Sequence, residues 1–191
     1  MGRLIVVNHV TLDGVMQAPA RPDEDRRGGF DRGGWAAANA DAVMGETMGA
    51  RMTGDGELLL GRRTYQDMAS VWPHRPADDP YAAVINARRK HVASRTLREP
   101  LEWNATLLDG DVAEAVAALR ERADLGILGS GELIQSLMPH GLIDEYLLLI
   151  HPLVFGTGRR LFPDGGAPAA LRLVDTVTTG TGVIIATYRP A

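Results

Sequence analysis

Three short polar segments carry the residue types that bind phosphate groups. They are Gly61-Arg-Arg-Thr64, Ser94-Arg-Thr96 and Gly129-Ser-Gly131, and each follows an apolar run. Guanidinium groups bond two phosphate oxygens at once, and hydroxyl groups add further donors. Glycine lets the backbone approach a ligand closely. The segments therefore predict a phosphate-binding site, the alternative being ordinary exposed turns in which arginine is common.

The segment from Leu125 to Met138 predicts a buried strand, a glycine turn and a helix. A short apolar run precedes the turn, and apolar residues follow it at helical spacing. A helix that begins at a glycine turn directs unpaired N–H groups outward, which suits a phosphate. A strand-turn-helix connection without a ligand fits the same residues, so both interpretations stay open.

Strands and helices must position these polar segments, and the two patterns alternate along the chain. This alternation predicts an α/β domain with one mostly parallel sheet, and a glycine-containing turn near the C-terminus predicts an antiparallel hairpin. We expect one domain, residues 1–191, without repeats or a linker. The expected strands are Leu4–Val10, Glu57–Gly61, Tyr81–Asn86, Lys90–Ser94, Asn104–Leu108, Leu125–Leu128, Glu145–Phe155, Leu171–Val177 and Val183–Tyr188. The expected helices are Trp35–Met52 and three that begin near Gly61, Asp111 and Gly131.

The expected sheet brings the three polar segments together. In an open α/β sheet, ligands bind outside the carboxyl ends of the strands. Three phosphate-binding turns on one rim fit a ligand with several separated phosphates, such as a dinucleotide with an extra 2′-phosphate.

Composition excludes several classes of protein. The chain has 45% hydrophobic and 23% charged residues, typical of a soluble globular protein, and its net charge of −4 disfavours a general nucleic-acid surface. The absence of cysteine excludes disulfides and thiolate chemistry. There is no apolar run long enough to cross a membrane and no signal-peptide pattern, so we expect a cytoplasmic protein. The five histidines are scattered, so we predict no metal site.

Residues 15–34 combine glycine, proline and charges with little periodicity, which is typical of a lid or binding loop; a disordered excursion is the alternative. Asp41 lies early in the expected helix after this loop, where the helix dipole favours an acid, and the residue pattern alone favours that solvated role. The sequence lacks a P-loop, a nucleophile elbow and the third Rossmann glycine.

Five motifs in chain order carry a resemblance to a known family. They are Val6-Val-Asn-His-Val-Thr-Leu-Asp-Gly14, Leu60-Gly-Arg-Arg-Thr-Tyr65, Val92-Ala-Ser-Arg-Thr-Leu97, Leu128-Gly-Ser-Gly-Glu-Leu133, and Leu142-Ile-Asp-Glu-Tyr146 with His151-Pro-Leu-Val-Phe-Gly156. Together they resemble the dihydrofolate reductase-like family that includes the C-terminal reductase domain of the bifunctional riboflavin-biosynthesis deaminase-reductase. The resemblance extends from Leu4 to Tyr188.

The resemblance implies a three-layer reductase fold that binds NADPH. It places the cofactor phosphates at the first segment, the adenosine 2′-phosphate at the second and the pyrophosphate at the third. The implied cofactor-binding residues are Gly61, Arg62, Arg63, Thr64, Ser94, Arg95, Thr96, Gly129, Ser130, Gly131, Glu132 and Leu133. The flap from Leu12 to Gln17 would cover nicotinamide and substrate, and the implied substrate-binding residues are Asp13, Gly14, Met16, Gln17 and Trp35.

The family resemblance predicts the substrate less directly than it predicts the fold. Trp35 and Asp41 resemble the tryptophan and buried carboxylate of folate reductases, with a spacing one residue longer, so Asp41 becomes the candidate catalytic acid. Riboflavin-pathway reductases usually have lysine after the Asp-Gly of the first strand, where this chain has Val15 and Met16.

We therefore expect an NADPH-dependent reductase of a small heterocycle, resembling 5-amino-6-(5-phosphoribosylamino)uracil reductase. A dihydrofolate or dihydropterin reductase and a non-catalytic nucleotide-binding protein remain alternatives. The expected partner is a small-molecule substrate, not nucleic acid or a membrane. The resemblance also favours a homodimer, with the strand Tyr146–Phe155 either at the interface or fully internal.

Overall fold

Eight strands within the described residues form one twisted sheet. The structure is a computed structural model that describes residues 1–51, 55–76 and 78–191. The strands are β1 (Leu4–Thr11), β2 (Glu57–Gly61), β3 (Lys90–Ala93), β4 (Ala105–Leu107), β5 (Leu125–Leu128), β6 (Glu145–His151), β7 (Leu171–Thr178) and β8 (Ile184–Pro190). Their order across the sheet is β4-β3-β2-β5-β1-β6-β8-β7. Strands β1 to β6 pair in parallel, and β8 pairs antiparallel with both β6 and β7. The mostly parallel sheet with an antiparallel C-terminal hairpin is confirmed.

Helices cover both faces of the sheet because successive strand residues point to opposite sides. The helices are α1 (Ala42–Arg51), α2 (Arg62–Val71), α3 (Pro80–Ala87), α4 (Val112–Arg120) and α5 (Gly131–Leu137). On one face Leu59 and Ile127 pack in the same core as α4 and α5. On the opposite face Leu58 and Leu60 pack with α2 and α3, and Leu147 packs with α1. The arrangement is the expected three-layer α/β domain.

Residues 81–86 are helical, so the strand predicted there is wrong. They belong to α3, whose first turn is capped by Asp79, since its carboxylate accepts hydrogen bonds from the N–H groups of Tyr81 and Ala82. Pro80 occupies the first helical position, where its fixed φ suits a helix and its missing N–H costs nothing. An aspartate followed by proline is a local helix-start signal, and it outweighs the short apolar run.

The helix predicted for Trp35–Met52 is shorter in the structure. Only Ala42–Arg51 forms α1, and Trp35 lies in an irregular buried segment before it. Met52 lies outside the described residues. The carboxylate of Asp41 accepts the N–H of Met44 at 2.8 Å, which places Asp41 at the cap position of α1.

Strand β6 is internal, which is one of the two roles left open for it. It lies between β1 and β8, and nearly all of its residues are buried. The strand ends at His151, so the predicted continuation through Pro152 to Phe155 is wrong; proline cannot donate to the ladder. The homodimer stays a prediction. Within residues 1–51, 55–76 and 78–191, no helix has the length and apolar content needed to cross a bilayer.

Candidate functional site

A cavity of about 1470 Å³ lies at the carboxyl ends of β1, β2, β3 and β5. All three polar segments predicted from the sequence line it, together with Asn8 of β1 and Met16 to Pro19 of the loop after β1. The cavity exceeds the roughly 300–1,000 Å³ typical of small-ligand pockets. It therefore has room for an extended ligand and a second small molecule.

The first segment places two unpaired arginines at the start of α2. Gly61 precedes the helix and has no side-chain cap. Arg62 is half-buried and Arg63 is exposed, and among the described residues neither guanidinium group forms an ion pair or a hydrogen bond. Cations at a helix N-terminus oppose the helix dipole. An anionic ligand would offset this unfavourable arrangement.

The second segment is a tight turn after β3. The hydroxyl oxygen of Ser94 accepts hydrogen bonds from the backbone N–H groups of Thr96 and Leu97, at 3.2 and 3.1 Å. Ser94 therefore shapes the turn, while its own proton stays available to a ligand. Arg95 is exposed, and the described part of the chain offers it no ion pair.

The third segment adopts the backbone conformation that its glycines predict. Gly129 and Ser130 have φ values of 63° and 59°, in the left-handed region that a non-glycine residue such as Ser130 rarely adopts. The Ser130 hydroxyl oxygen accepts the N–H of Gly61 at 3.0 Å and ties this turn to the first segment. A Cβ atom at Gly131 would collide with the sulfur of Met16. Leu133 packs in the core, so only its backbone can face a ligand.

The flap is bound to the loop between β6 and β7. Met16 donates its N–H to Arg159 at 2.9 Å, and Leu161 donates to Gly14 at 3.0 Å. The Asp13 carboxylate accepts the Thr11 hydroxyl at 2.6 Å and the Gly156 N–H at 2.8 Å. The hydrogen bond from Thr11, with the backbone donors, holds the pKa of Asp13 below its usual value. Asp13 and Gly14 therefore anchor the flap, and neither is among the described residues that line the cavity.

Gln17 ends the flap, and Trp35 contacts it. The Gln17 amide is fully engaged, since its nitrogen donates to the carbonyl groups of Asp25 and Arg27 and its oxygen accepts the Arg159 N–H at 2.9 Å. Trp35 is 7% exposed and donates its indole N–H to the carbonyl of Gln17 at 2.8 Å. Of the five predicted substrate-binding residues, Met16 and Gln17 line the cavity in the described structure.

Glu24 and Asp41 occupy different environments. Glu24 lines the cavity, and one of its carboxylate oxygens accepts the N–H groups of Ala20 and Arg21 at 2.8 and 3.2 Å. Burial raises the pKa of Glu24 above its usual value. Asp41 caps α1 and is not among the described cavity-lining residues. The catalytic role of Asp41 stays a prediction.

Two histidines, one fully buried (His151) and one partly buried (His9), form a pair that sequence reasoning did not identify. The ring nitrogens of His9 and His151 lie 2.9 Å apart, and the edge of Trp35 packs against His151. Burial lowers the pKa of His151 to about 4, and burial together with the charge of His151 lowers the pKa of His9 to about 4. The two residues are 142 positions apart, so no local pattern could reveal the pair.

Arginines of two loops also line the cavity and were missed. Arg27 comes from the loop of residues 15–34, here called the flap loop, and Arg159 and Arg160 come from the loop after β6. A signal was present, because Gly158-Arg159-Arg160 repeats the glycine-arginine-arginine pattern of residues 61–63.

The chain is similar to one known protein family and to two known bacterial proteins. The family model described as RibD C-terminal domain matches residues 3–185. The chain is 28% identical over 191 residues to YyaP of Bacillus subtilis (strain 168), covering 97% of this chain and 94% of YyaP. It is 25% identical over 128 residues to YwjB of the same organism, covering 66% of this chain and 69% of YwjB.

Solved structures share the fold. A putative riboflavin biosynthesis protein from Shewanella sp. PV-4 is 23% identical with a TM-score of 0.73, and the match covers 99% of both chains. A pyrimidine reductase-like protein from Corynebacterium diphtheriae is 12% identical with a TM-score of 0.64, covering 100% of this chain and 92% of the other. Dihydrofolate reductase from Enterococcus faecalis, solved with NADP(H), is 17% identical with a TM-score of 0.59, covering 99% and 96%. The fold is dihydrofolate reductase-like, and because the family match spans nearly the whole chain, the protein belongs to the RibD C-terminal domain family.

Proposed function

We propose that this protein is an NADPH-dependent reductase of a small heterocyclic substrate. The observation that carries the proposal is the convergence of three separate segments on one cavity. Arg62, Arg63 and Arg95 all line it, and they form no ion pair with the rest of the described chain. Unpaired guanidinium groups at separate points of one cleft match a ligand with separate phosphates.

The chain's residues would bind and orient the coenzyme. Arg62, Arg63 and Thr64 would contact the phosphates, and Arg95 and Thr96 would contact the 2′-phosphate. The turn at Gly129 to Gly131 would allow close approach of the pyrophosphate. NADPH supplies the hydride when bound. The flap, held by the loop after β6, would exclude water from the reacting groups.

The substrate class is proposed from the family and its neighbours. Membership of the RibD C-terminal domain family supports a ribosylamino-pyrimidine such as 5-amino-6-(5-phosphoribosylamino)uracil. The shared fold of the Shewanella riboflavin biosynthesis protein and the Corynebacterium pyrimidine reductase-like protein supports the same substrate class. A dihydropterin is the second candidate, favoured by the fold shared with dihydrofolate reductase.

The activity test follows loss of the NADPH absorbance band with each candidate substrate. We expect oxidation with the aminopyrimidinone ribosyl phosphate and little with dihydrofolate; the reverse result would favour the dihydropterin candidate. NADPH binding without oxidation by either compound would favour a nucleotide-binding protein without turnover. Failure to bind any reduced pyridine nucleotide would contradict the proposed function.

Reduction also needs a proton, and Glu24 and Asp41 are the two candidate donors. We favour Glu24, because it lines the cavity and burial raises its pKa, a property common at catalytic sites. Glu24→Gln should lower turnover by about 10²- to 10⁴-fold, the usual contribution of general acid catalysis, without weakening NADPH binding. Glutamine can still accept the N–H groups of Ala20 and Arg21, so the loop should keep its shape.

Asp41→Asn is the matched variant. Asparagine caps helices as well as aspartate does, so the change removes the charge while α1 stays capped. Unchanged turnover in Asp41→Asn together with reduced turnover in Glu24→Gln would support Glu24. The opposite pattern, measured with saturating NADPH, would restore Asp41 as the acid.

A further inference from the structure

Three charged side chains from three separate segments meet beside the turn after β5. They are Arg27 of the flap loop, Glu132 at the start of α5 and Arg159 of the loop after β6. An Arg27 guanidinium nitrogen lies 3.0 Å from a carboxylate oxygen of Glu132, and Arg159 contacts the same oxygen. All three residues line the cavity. The Glu132 carboxylate thus connects the flap loop to the loop after β6 at the proposed pyrophosphate site.

Gln17 connects the backbone of Arg27 to the backbone of Arg159. Its amide nitrogen donates to the Arg27 carbonyl at 2.9 Å, and its amide oxygen accepts the Arg159 N–H at 2.9 Å. Asp25 fixes the Arg27 guanidinium through bonds of 2.9 and 2.6 Å. Both guanidinium groups are therefore aimed at one point before any ligand arrives.

An anionic ligand can replace Glu132 in its ion pairs with Arg27 and Arg159. The Glu132 side chain is 65% exposed and that of Arg159 is 45% exposed, and exposed pairs contribute only about 0–1 kcal/mol. Burial raises the pKa of Glu132, but Arg27, Arg159 and Arg63 together bring it below its usual value, so the residue stays ionised. A nucleotide diphosphate has two anionic groups with several acceptor oxygens, so it can form charge-assisted bonds with both guanidinium groups, which share one carboxylate oxygen of Glu132 in the free protein.

We propose that Glu132 stands in for a ligand phosphate, and that Arg27 and Arg159 are further phosphate-binding residues of this site. In the free protein both arginines pair with Glu132. When a nucleotide diphosphate enters, at least one arginine transfers from Glu132 to the diphosphate. The arginines then bind the flap loop and the loop after β6 to the ligand. This inference rests on the proposed function, because it requires a phosphate-bearing nucleotide in the cavity.

The binding test uses NADPH and ADP, the second of which carries a diphosphate without nicotinamide. Glu132→Gln removes the competing charge, so both ligands should bind about twofold to fivefold more tightly, the upper part of the range expected for loss of one exposed ion pair. Arg159→Gln should weaken binding about tenfold, as expected for one charge-assisted bond, and should reduce the gain in the double variant, in which only Arg27 is released. Glu121→Gln, at an exposed residue outside the described cavity lining, should change neither affinity.

A second readout needs no ligand. Trypsin cleaves after Arg26 and Arg27, and Glu132→Gln releases Arg27 from α5, so cleavage there should accelerate in the free protein. ADP should restore protection. Normal NADPH binding by the unchanged protein, with equal or weaker binding by Glu132→Gln, would overturn this inference while leaving the proposed function intact. If the unchanged protein bound neither nucleotide, both proposals would fail.

Discussion

Replacing Arg95 with alanine should weaken NADPH binding about tenfold to a hundredfold, the loss expected for one charge-assisted hydrogen bond. Arg95 is exposed in the turn after β3 and lines the cavity beside Ser94 and Thr96. NADH lacks the 2′-phosphate, so its affinity should change little. Titration of each coenzyme against the variant and the unchanged protein would measure the difference.

Arg98→Ala provides the matched control. Arg98 is also exposed and lies three residues further along the same loop, but its guanidinium donates to the carbonyl of Leu97 at 3.2 Å and it is not among the described cavity-lining residues. This variant should bind both coenzymes as the unchanged protein does. Equal losses for NADPH and NADH in Arg95→Ala would remove Arg95 from the 2′-phosphate site.

The buried histidine pair should make the protein sensitive to acid. Burial lowers the pKa of His151 from 6.5 to about 4, so the folded state disfavours the charged imidazole. The contribution of neutral His151 to the free energy of unfolding is therefore fully present above pH 6.5, the pKa in the unfolded chain. It is lost as the pH falls towards 4. Between pH 7.5 and pH 4.5, one such group lowers the free energy of unfolding by about 2–3 kcal/mol.

His151→Gln should reduce this pH dependence. The glutamine amide can still meet the ring nitrogen of His9, while one buried titratable group is removed. Urea unfolding at the two pH values should show a smaller difference in unfolding free energy than in the unchanged protein. His74→Gln, at an exposed histidine, should leave the pH dependence unchanged. An identical acid loss in His151→Gln would contradict a role for the pair.

Local signals in the sequence were sufficient for most of the elements. The apolar runs around Leu59 and Ile127 predict buried strands, and the glycine turns at Gly61 and Gly129 mark where the strands end. Asp79-Pro80 was also a local signal, and it favours a helix where the apolar run at residues 81–86 predicted a strand. Since parallel strands place their carboxyl ends on one rim, the convergence of the three phosphate-binding turns could be predicted before any coordinates.

Side-chain roles in the flap could not be predicted in the same way. The family resemblance made Asp13 and Gln17 candidate substrate contacts, yet their polar atoms are engaged by Gly156 and Arg159, more than 140 positions away. A polar side chain in a loop has the same sequence signature whether it binds a ligand or another loop. Which of these it does depends on what packs beside it.

The sequence by itself therefore determined most of the sheet, the positions of the predicted phosphate-binding turns and the cationic character of their rim. These features follow from local periodicity, turn chemistry and the direction of parallel strands. Only the tertiary structure decided that Met16 packs on Gly131, that Arg27 and Arg159 share Glu132, and that His9 meets His151. These contacts join residues that are far apart along the chain, from 27 positions for Arg159 and Glu132 to 142 for His9 and His151, and such pairings are set by the packing of the whole chain.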